Sequence, residues 1–220
     1  MSFKAIIFDF DGVITDTEPV HMRAWLEVFK PLGISFDKKE YDANYLGLND
    51  RDFLDAVGRI HNRPFPAEEK NILITKKLEK SLALLSKGIP LLDGVEDFIE
   101  LLQKKCLFAI CSGANKNEVN YVLKKLEWLE IFDPIVTQEN VQKGKPDPEG
   151  YKLVLKRLQE RAPSHKLTAD DCLAIEDSPK GIAAAHAAGI KCLAISNSYP
   201  PDQLNEAEWV LASLSEFELE

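Results

Sequence analysis

Residues 3–18 read Phe3-Lys4-Ala5-Ile6-Ile7-Phe8-Asp9-Phe10-Asp11-Gly12-Val13-Ile14-Thr15-Asp16-Thr17-Glu18. The first six form a short, β-rich apolar run that ends abruptly in carboxylates. An apolar run without polar alternation predicts a strand covered on both faces, as in a parallel sheet. Similar runs recur at 106–111 (CLFAIC), 134–137, 172–175 (CLAI) and 192–195 (CLAI). Between them the apolar spacing is helical. Residues 95–104 are amphipathic, and 117–129 carry Val119, Val122, Leu123 and Leu126. Pro148 opens a helix through Arg161, and Pro179 opens another through Ala188 that Gly189 closes.

Strand alternating with helix predicts an α/β fold with a doubly wound, Rossmann-like parallel sheet. One region breaks the alternation. Residues 18–32 read as a helix closed by Gly33, 50–60 as a second and 67–85 as a third, with no convincing strand among them. The expected organisation is an α/β core of residues 1–15 and 90–220, with an all-helical insert at 16–89. Its hinges are expected at 14–19 and 86–91, where Ser86-Lys87-Gly88 precedes Pro90.

The chain has 220 residues, 45% hydrophobic and 29% charged, which suits a folded globular protein. Its net charge of −9 and the absence of a Lys/Arg block speak against nucleic-acid or membrane-surface partners. No apolar stretch approaches the ~20 residues that span a bilayer. The opening residues turn acidic too quickly for a signal peptide. The four cysteines (Cys106, Cys111, Cys172 and Cys192) lie in or beside apolar runs without a C-x-x-C pair. They read as reduced core residues, so a cytoplasmic protein is expected.

Ligands of open α/β sheets bind beyond the carboxyl ends of the strands. Past the first strand come Asp9 and Asp11. Past Cys111 come Ser112 and Gly113. The loop after the third strand holds Lys143-Gly144-Lys145-Pro146, and past Ile175 come Glu176, Asp177 and Ser178. Asp9 and Asp11 are two apart, so an extended backbone turns both to one side and Phe8 and Phe10 to the other. Carboxylates gathered in this number call for a cation, and hard oxygen donors with room for water and phosphate favour Mg²⁺. Lys145, the Ser112 hydroxyl and the Gly113 amide supply charge and hydrogen bonds suited to phosphate. One carboxylate can then attack phosphorus while another moves the proton.

Asp9-Phe10-Asp11-Gly12-Val13-Ile14-Thr15-Asp16-Thr17-Glu18 resembles the first motif of the haloacid dehalogenase superfamily. Ser112 resembles its second motif, Lys145 in Lys-Pro-Asp-Pro its third, and Glu176-Asp177-Ser178 its fourth, in matching order along essentially the whole chain. Each motif alone is weak; the set is specific. The resemblance implies that Asp9 is the nucleophile and Asp11 the general acid/base. It implies Mg²⁺ held by Asp9, Asp177, the backbone carbonyl of Asp11 and Glu176. It also implies that the helical insert is a mobile cap that closes over the site.

Plainer readings compete at each position: an Asp-Gly turn, a Ser-Gly cap, a loop lysine with Lys143 as its double, and a carboxylate capping the Pro179 helix. His21, in His-Met-Arg-Ala-Trp, either orders the hinge, reaches the acid/base, or is a surface helix residue. Lys77 resembles a lysine that some relatives aim at substrate, but with Lys70, Lys76 and Lys80 on the same helix it also reads as solvated. Trp25 and Trp128 fit helix core positions.

Asp11 separates the chain from dehalogenases and phosphonate hydrolases, whose first motif lacks a second Asp. A phosphatase acting on a small phosphorylated metabolite, of sugar phosphate type, is expected. The alternative is a sugar phosphomutase similar to β-phosphoglucomutase, which the resemblance extends to His21. Those mutases carry a cap arginine where Gly47-Leu48-Asn49-Asp50-Arg51 has Asp50. Arg51 is one residue late, and on a helix that turns a side chain by about 100°. A non-enzymatic phosphoacceptor or sensor also gathers Asp, Ser/Thr and Lys at strand ends. Such receivers carry the acceptor on the third strand and have no helical cap. A monomer is expected.

Overall fold

The computed structural model describes residues 3–217. These divide into two compact units. One takes the chain up to Asp16 together with the residues from Pro90 onward; the other is Thr17–Ile89.

The first unit begins with strand β1 (Ala5–Phe8), every residue of which is buried. After the insert come helix α5 (Val95–Leu102), β2 (Leu107–Cys111), α6 (Lys116–Lys125), β3 (Phe132–Val136), α7 (Glu149–Arg161), β4 (Cys172–Glu176), α8 (Pro179–Ala187), β5 (Lys191–Ile195) and β6 (Trp209–Leu211). The strands form one parallel, six-stranded, Rossmann-like sheet in the order β3-β2-β1-β4-β5-β6. The strand order reverses beside β1, the switch point where such sheets open a crevice at their carboxyl ends.

The sheet buries both faces, as its unbroken apolar runs require. On one face Ile7, Ala109, Ala174 and Cys192 pack with Tyr151, Val154 and Leu158 of α7 and Ile182 of α8. On the other, Phe8 meets the rings of Phe98, Phe108 and Phe132 edge-on, with centroids 5.9, 5.1 and 5.4 Å away. Such pairs add to the area they bury.

The second unit is helical among its described elements: α1 (Glu18–Phe29), α2 (Lys38–Asn44), α3 (Asp50–Ile60) and α4 (Ala67–Leu85). A 3₁₀ turn at Lys30–Leu32 extends α1, and Gly33 ends it at φ 68°, a left-handed conformation that favours glycine. Asn49 starts α3 by accepting from the N–H groups of Arg51 and Asp52. An aromatic cluster forms its core. Trp25 stacks on Phe29 at 5.3 Å and on Phe53 at 4.7 Å, and Phe36, Tyr41, Tyr45 and Phe65 complete it.

The strands and most helices follow the sequence pattern to within a few residues. Helix α2 was not anticipated, because Lys-Lys-Glu-Tyr-Asp-Ala-Asn buries only Tyr41 and has no apolar period. Strand β6 was missed because it is three half-buried residues at the sheet edge. Trp128 is not a helix core residue: α6 ends at Lys125, and Trp128 follows, half-buried, in the connection to β3. Among the described residues no helix is long and apolar enough to cross a membrane.

Replacing Phe8 by alanine removes the ring on which three others converge. The expected loss is about 3–5 kcal/mol of unfolding free energy, read from urea unfolding.

Candidate active site

Register brings the strand-end residues together. Phe8 lies opposite Ile110 of β2 and Ile175 of β4, so Asp9 is level with Cys111 on one side and Glu176 on the other. The Asp9 N–H continues the ladder to the Ile175 carbonyl at 2.9 Å. The chain then turns tightly. The Ile14 N–H donates to the Phe10 carbonyl at 2.9 Å and the Gly12 N–H to the Thr15 carbonyl at 2.7 Å. Phe10, Val13 and Ile14 are buried and anchor this turn.

Asp9, Ser112, Glu176 and Asp177 are all buried polar residues. Lys145 reaches into them: its Nζ lies 2.9 Å from Asp9 Oδ1 and 2.6 Å from Glu176 Oε1. Lys143 pairs instead, at 3.8 Å, with Asp147 on the surface, which separates the two lysines of the loop. Ser112 follows β2, where its N–H donates to the Val136 carbonyl at 2.9 Å and its hydroxyl accepts from the Ala114 N–H at 2.9 Å. Gly113 is exposed, with open space where a side chain would stand.

Two glycines make room for the carboxylates. Gly12 has φ 80°, and a Cβ there would overlap the carboxylate of Asp177. A Cβ on Gly181, in the first turn of α8, would overlap the carboxylate of Glu176. The cap of α8 is Ser178, whose hydroxyl accepts from the Gly181 N–H at 3.1 Å. Glu176 and Asp177 are therefore not consumed in capping. The Asp177 carboxylate accepts a short hydrogen bond from the Ser198 hydroxyl, and Glu176 Oε1 accepts one from the Tyr151 hydroxyl at 2.6 Å. Nothing in the sequence pattern marks Ser198 or Tyr151: one lies in the loop after β5, the other on the apolar face of α7.

The electrostatics follow from burial. Burial raises the Asp9 carboxyl from 3.8 to about 7; Lys145 opposes the rise, and Glu176 and Asp11 add to it. Burial likewise lifts the Asp177 carboxyl well above its usual value, with Asp9 and Glu176 adding and Ser198 opposing. Burial works against the charge on Lys145, but Asp9 and Glu176 outweigh it and hold the ammonium well above its usual value. Asp9, Glu176 and Asp177 each offer a carboxylate oxygen within 4.8 Å of the others. Three buried carboxylates with one lysine leave a surplus of negative charge, and hard oxygens at this spacing fit Mg²⁺.

His21 and Lys77 belong to the other unit. His21 lies half-buried in the first turns of α1. Lys77 is not a solvated lysine: it is 3% exposed on α4, and its Nζ lies 3.3 Å from a carboxylate oxygen of Asp50.

A family model described as haloacid dehalogenase-like hydrolase matches residues 3–189. The chain is a haloacid dehalogenase-like hydrolase. This hydrolase is 28% identical over 222 residues to a protein of Bacillus subtilis named β-phosphoglucomutase, covering 99% of the chain and 92% of that protein. It is 25% identical over 215 residues to validoxylamine A 7′-phosphate phosphatase of Streptomyces hygroscopicus, covering 97% and 95%. Among solved structures, CbbY from Rhodobacter sphaeroides in complex with phosphate superposes with a TM-score of 0.83 at 26% identity, covering 97% and 96%.

A pH dependence follows for the metal-free hydrolase. Unfolded, Asp9 loses its proton near 3.8; folded, it keeps it to about 7. The folded state binds more protons between those values, so its stability falls as pH rises across that window. Asp177 acts in the same direction. In EDTA, the urea midpoint is expected to drop between about pH 5 and about pH 7.5, and added Mg²⁺ to restore most of it at the higher pH. A midpoint that rises across the window would refute this account of the buried carboxylates.

Proposed function

We propose that the protein is a Mg²⁺-dependent phosphatase that hydrolyses a small phosphorylated metabolite of sugar phosphate type through an aspartyl-phosphate on Asp9. The observation that carries this reading is the buried ion pair of Lys145 with Asp9, in reach of two further carboxylates at the sheet's switch point. Relatives named as a sugar phosphomutase and as a phosphatase support the substrate class.

In this reading the phosphate is held by Lys145, the Ser112 hydroxyl and the Gly113 N–H. An Asp9 carboxylate oxygen forms the new bond to phosphorus as the ester P–O bond breaks. Asp11 gives its proton to the departing alcohol oxygen. The same carboxylate then takes a proton from water, which attacks the aspartyl-phosphate and frees Asp9 and inorganic phosphate. Mg²⁺ would be held by Asp9, Asp177, the Asp11 carbonyl and Glu176, and when bound it supplies positive charge for the transferring group. Lys145 supplies the remaining fixed charge.

The mutase reading has the similarity to β-phosphoglucomutase in its favour. It needs a clamp for a second phosphate, and here the cationic Lys77 is already paired with Asp50, at the position where the mutases carry arginine. That pairing favours the phosphatase.

The test is phosphate release from a panel of phosphometabolites with Mg²⁺, beside a coupled assay for glucose 6-phosphate formed from β-glucose 1-phosphate. Free phosphate without isomerisation is expected. Isomerisation that requires a bisphosphate primer would establish the mutase. Turnover should stop in EDTA and return with Mg²⁺. Asp9→Asn should leave less than about 1% of wild-type turnover with circular dichroism unchanged; more would remove Asp9 as nucleophile.

A further inference from the structure

Tyr151 lies outside every motif, yet its hydroxyl stands at the inner end of the site's charged chain. It comes from α7, and neither Tyr151 nor Glu176 has any solvent exposure. The Tyr151 hydroxyl donates to Glu176 Oε1 at 2.6 Å, and Lys145 Nζ lies at 2.6 Å from the same oxygen. The ammonium also stands 5.5 Å from the centroid of the Tyr151 ring, within cation–π range. Among the described residues the other oxygen, Oε2, has a weak contact with the Ser178 hydroxyl at 3.4 Å, and the missing side chain of Gly181 makes room for it.

A lysine between two carboxylates stands where their attractions balance. Asp9 and Glu176 compete for Lys145 at 2.9 and 2.6 Å. The tyrosine hydroxyl changes that contest in two ways. It fixes the position of Oε1, and it satisfies a lone pair that would otherwise be met by Lys145 alone. Without it a buried carboxylate oxygen faces an aromatic edge, a costly vacancy that Lys145 can fill only by moving away from Asp9. We propose that Tyr151 is a positioning residue which, through Glu176, holds Lys145 beside Asp9. This rests on the phosphatase reading only for what Lys145 does there; the tyrosine–glutamate–lysine chain does not depend on it.

Tyr151→Phe keeps the ring and removes the hydroxyl. With Mg²⁺ and an aryl phosphate, kcat/KM is expected to fall about tenfold, mostly in kcat, as a charge-assisted hydrogen bond is lost. In a Lys145→Met background the same change should cost less than about twofold, because the residue it acts on is gone. Lys145→Gln serves if the methionine variant does not fold. The cycle is repeated on orthovanadate affinity with Mg²⁺, measured by calorimetry, and Tm is recorded for each variant. Equal losses in both backgrounds, or a lowered Tm with kcat and vanadate affinity unchanged, would make Tyr151 merely structural and overturn the proposal. A wild-type chain that binds vanadate but hydrolyses no ester would end the phosphatase reading while the vanadate cycle still decides the role of Tyr151. No vanadate binding to the wild type would end both.

Discussion

A single ammonium group, Lys145, stands between Asp9 and Glu176 in a setting almost closed to water. Burying one carboxylate costs several kcal/mol, and here three are buried within reach of one another. One lysine cannot compensate three. The sheet answers with geometry: parallel strands bring the groups to one edge, and their backbone ladders hold them there despite mutual repulsion. Burial together with the neighbouring carboxylates pushes the Asp9 and Asp177 carboxyls up, and a divalent cation would relieve the same imbalance. That imbalance is what fits the three carboxylates for a cation.

The placement of the strand-end residues was far more legible in the sequence than that of their supports. Asp9, Ser112 and Asp177 directly follow β1, β2 and β4, and Glu176 ends β4, so strand order alone brings them to one edge; Lys145 lies well past β3, and only its motif singled it out from Lys143. Helices α3 and α4 were legible to the residue because their apolar periods are long and Asn49 marks the start of α3. Ser198 and Tyr151 were not legible. A serine in a loop after β5 and a tyrosine on an apolar helix face look like any others until the fold brings their hydroxyls to Asp177 and Glu176. Lys77 was ambiguous for the opposite reason: composition surrounds it with solvated lysines, while the helix period puts it in line with Leu73, Ser81 and Leu85 on the buried face.

Charge is managed differently in the two units. In the α/β unit, negative charge exceeds positive and leaves a role for an ion. In the helical unit, Lys77 and Asp50 cancel, and most of the remaining core is aromatic. A carboxylate and an ammonium that neutralise each other still present hydrogen-bonding atoms.

The chain leaves the α/β unit after Asp16 and returns at Pro90, and there the Asp16 N–H donates to the Pro90 carbonyl at 2.8 Å while Thr15 bridges Leu91 in antiparallel fashion. The two ends of the insert are thus stitched side by side by backbone hydrogen bonds within the α/β unit. The sheet closes its own loop whatever is threaded through the gap. A clasp made of backbone makes few demands on the sequence of the segment it closes, so the position of Asp9 is held by the α/β unit itself.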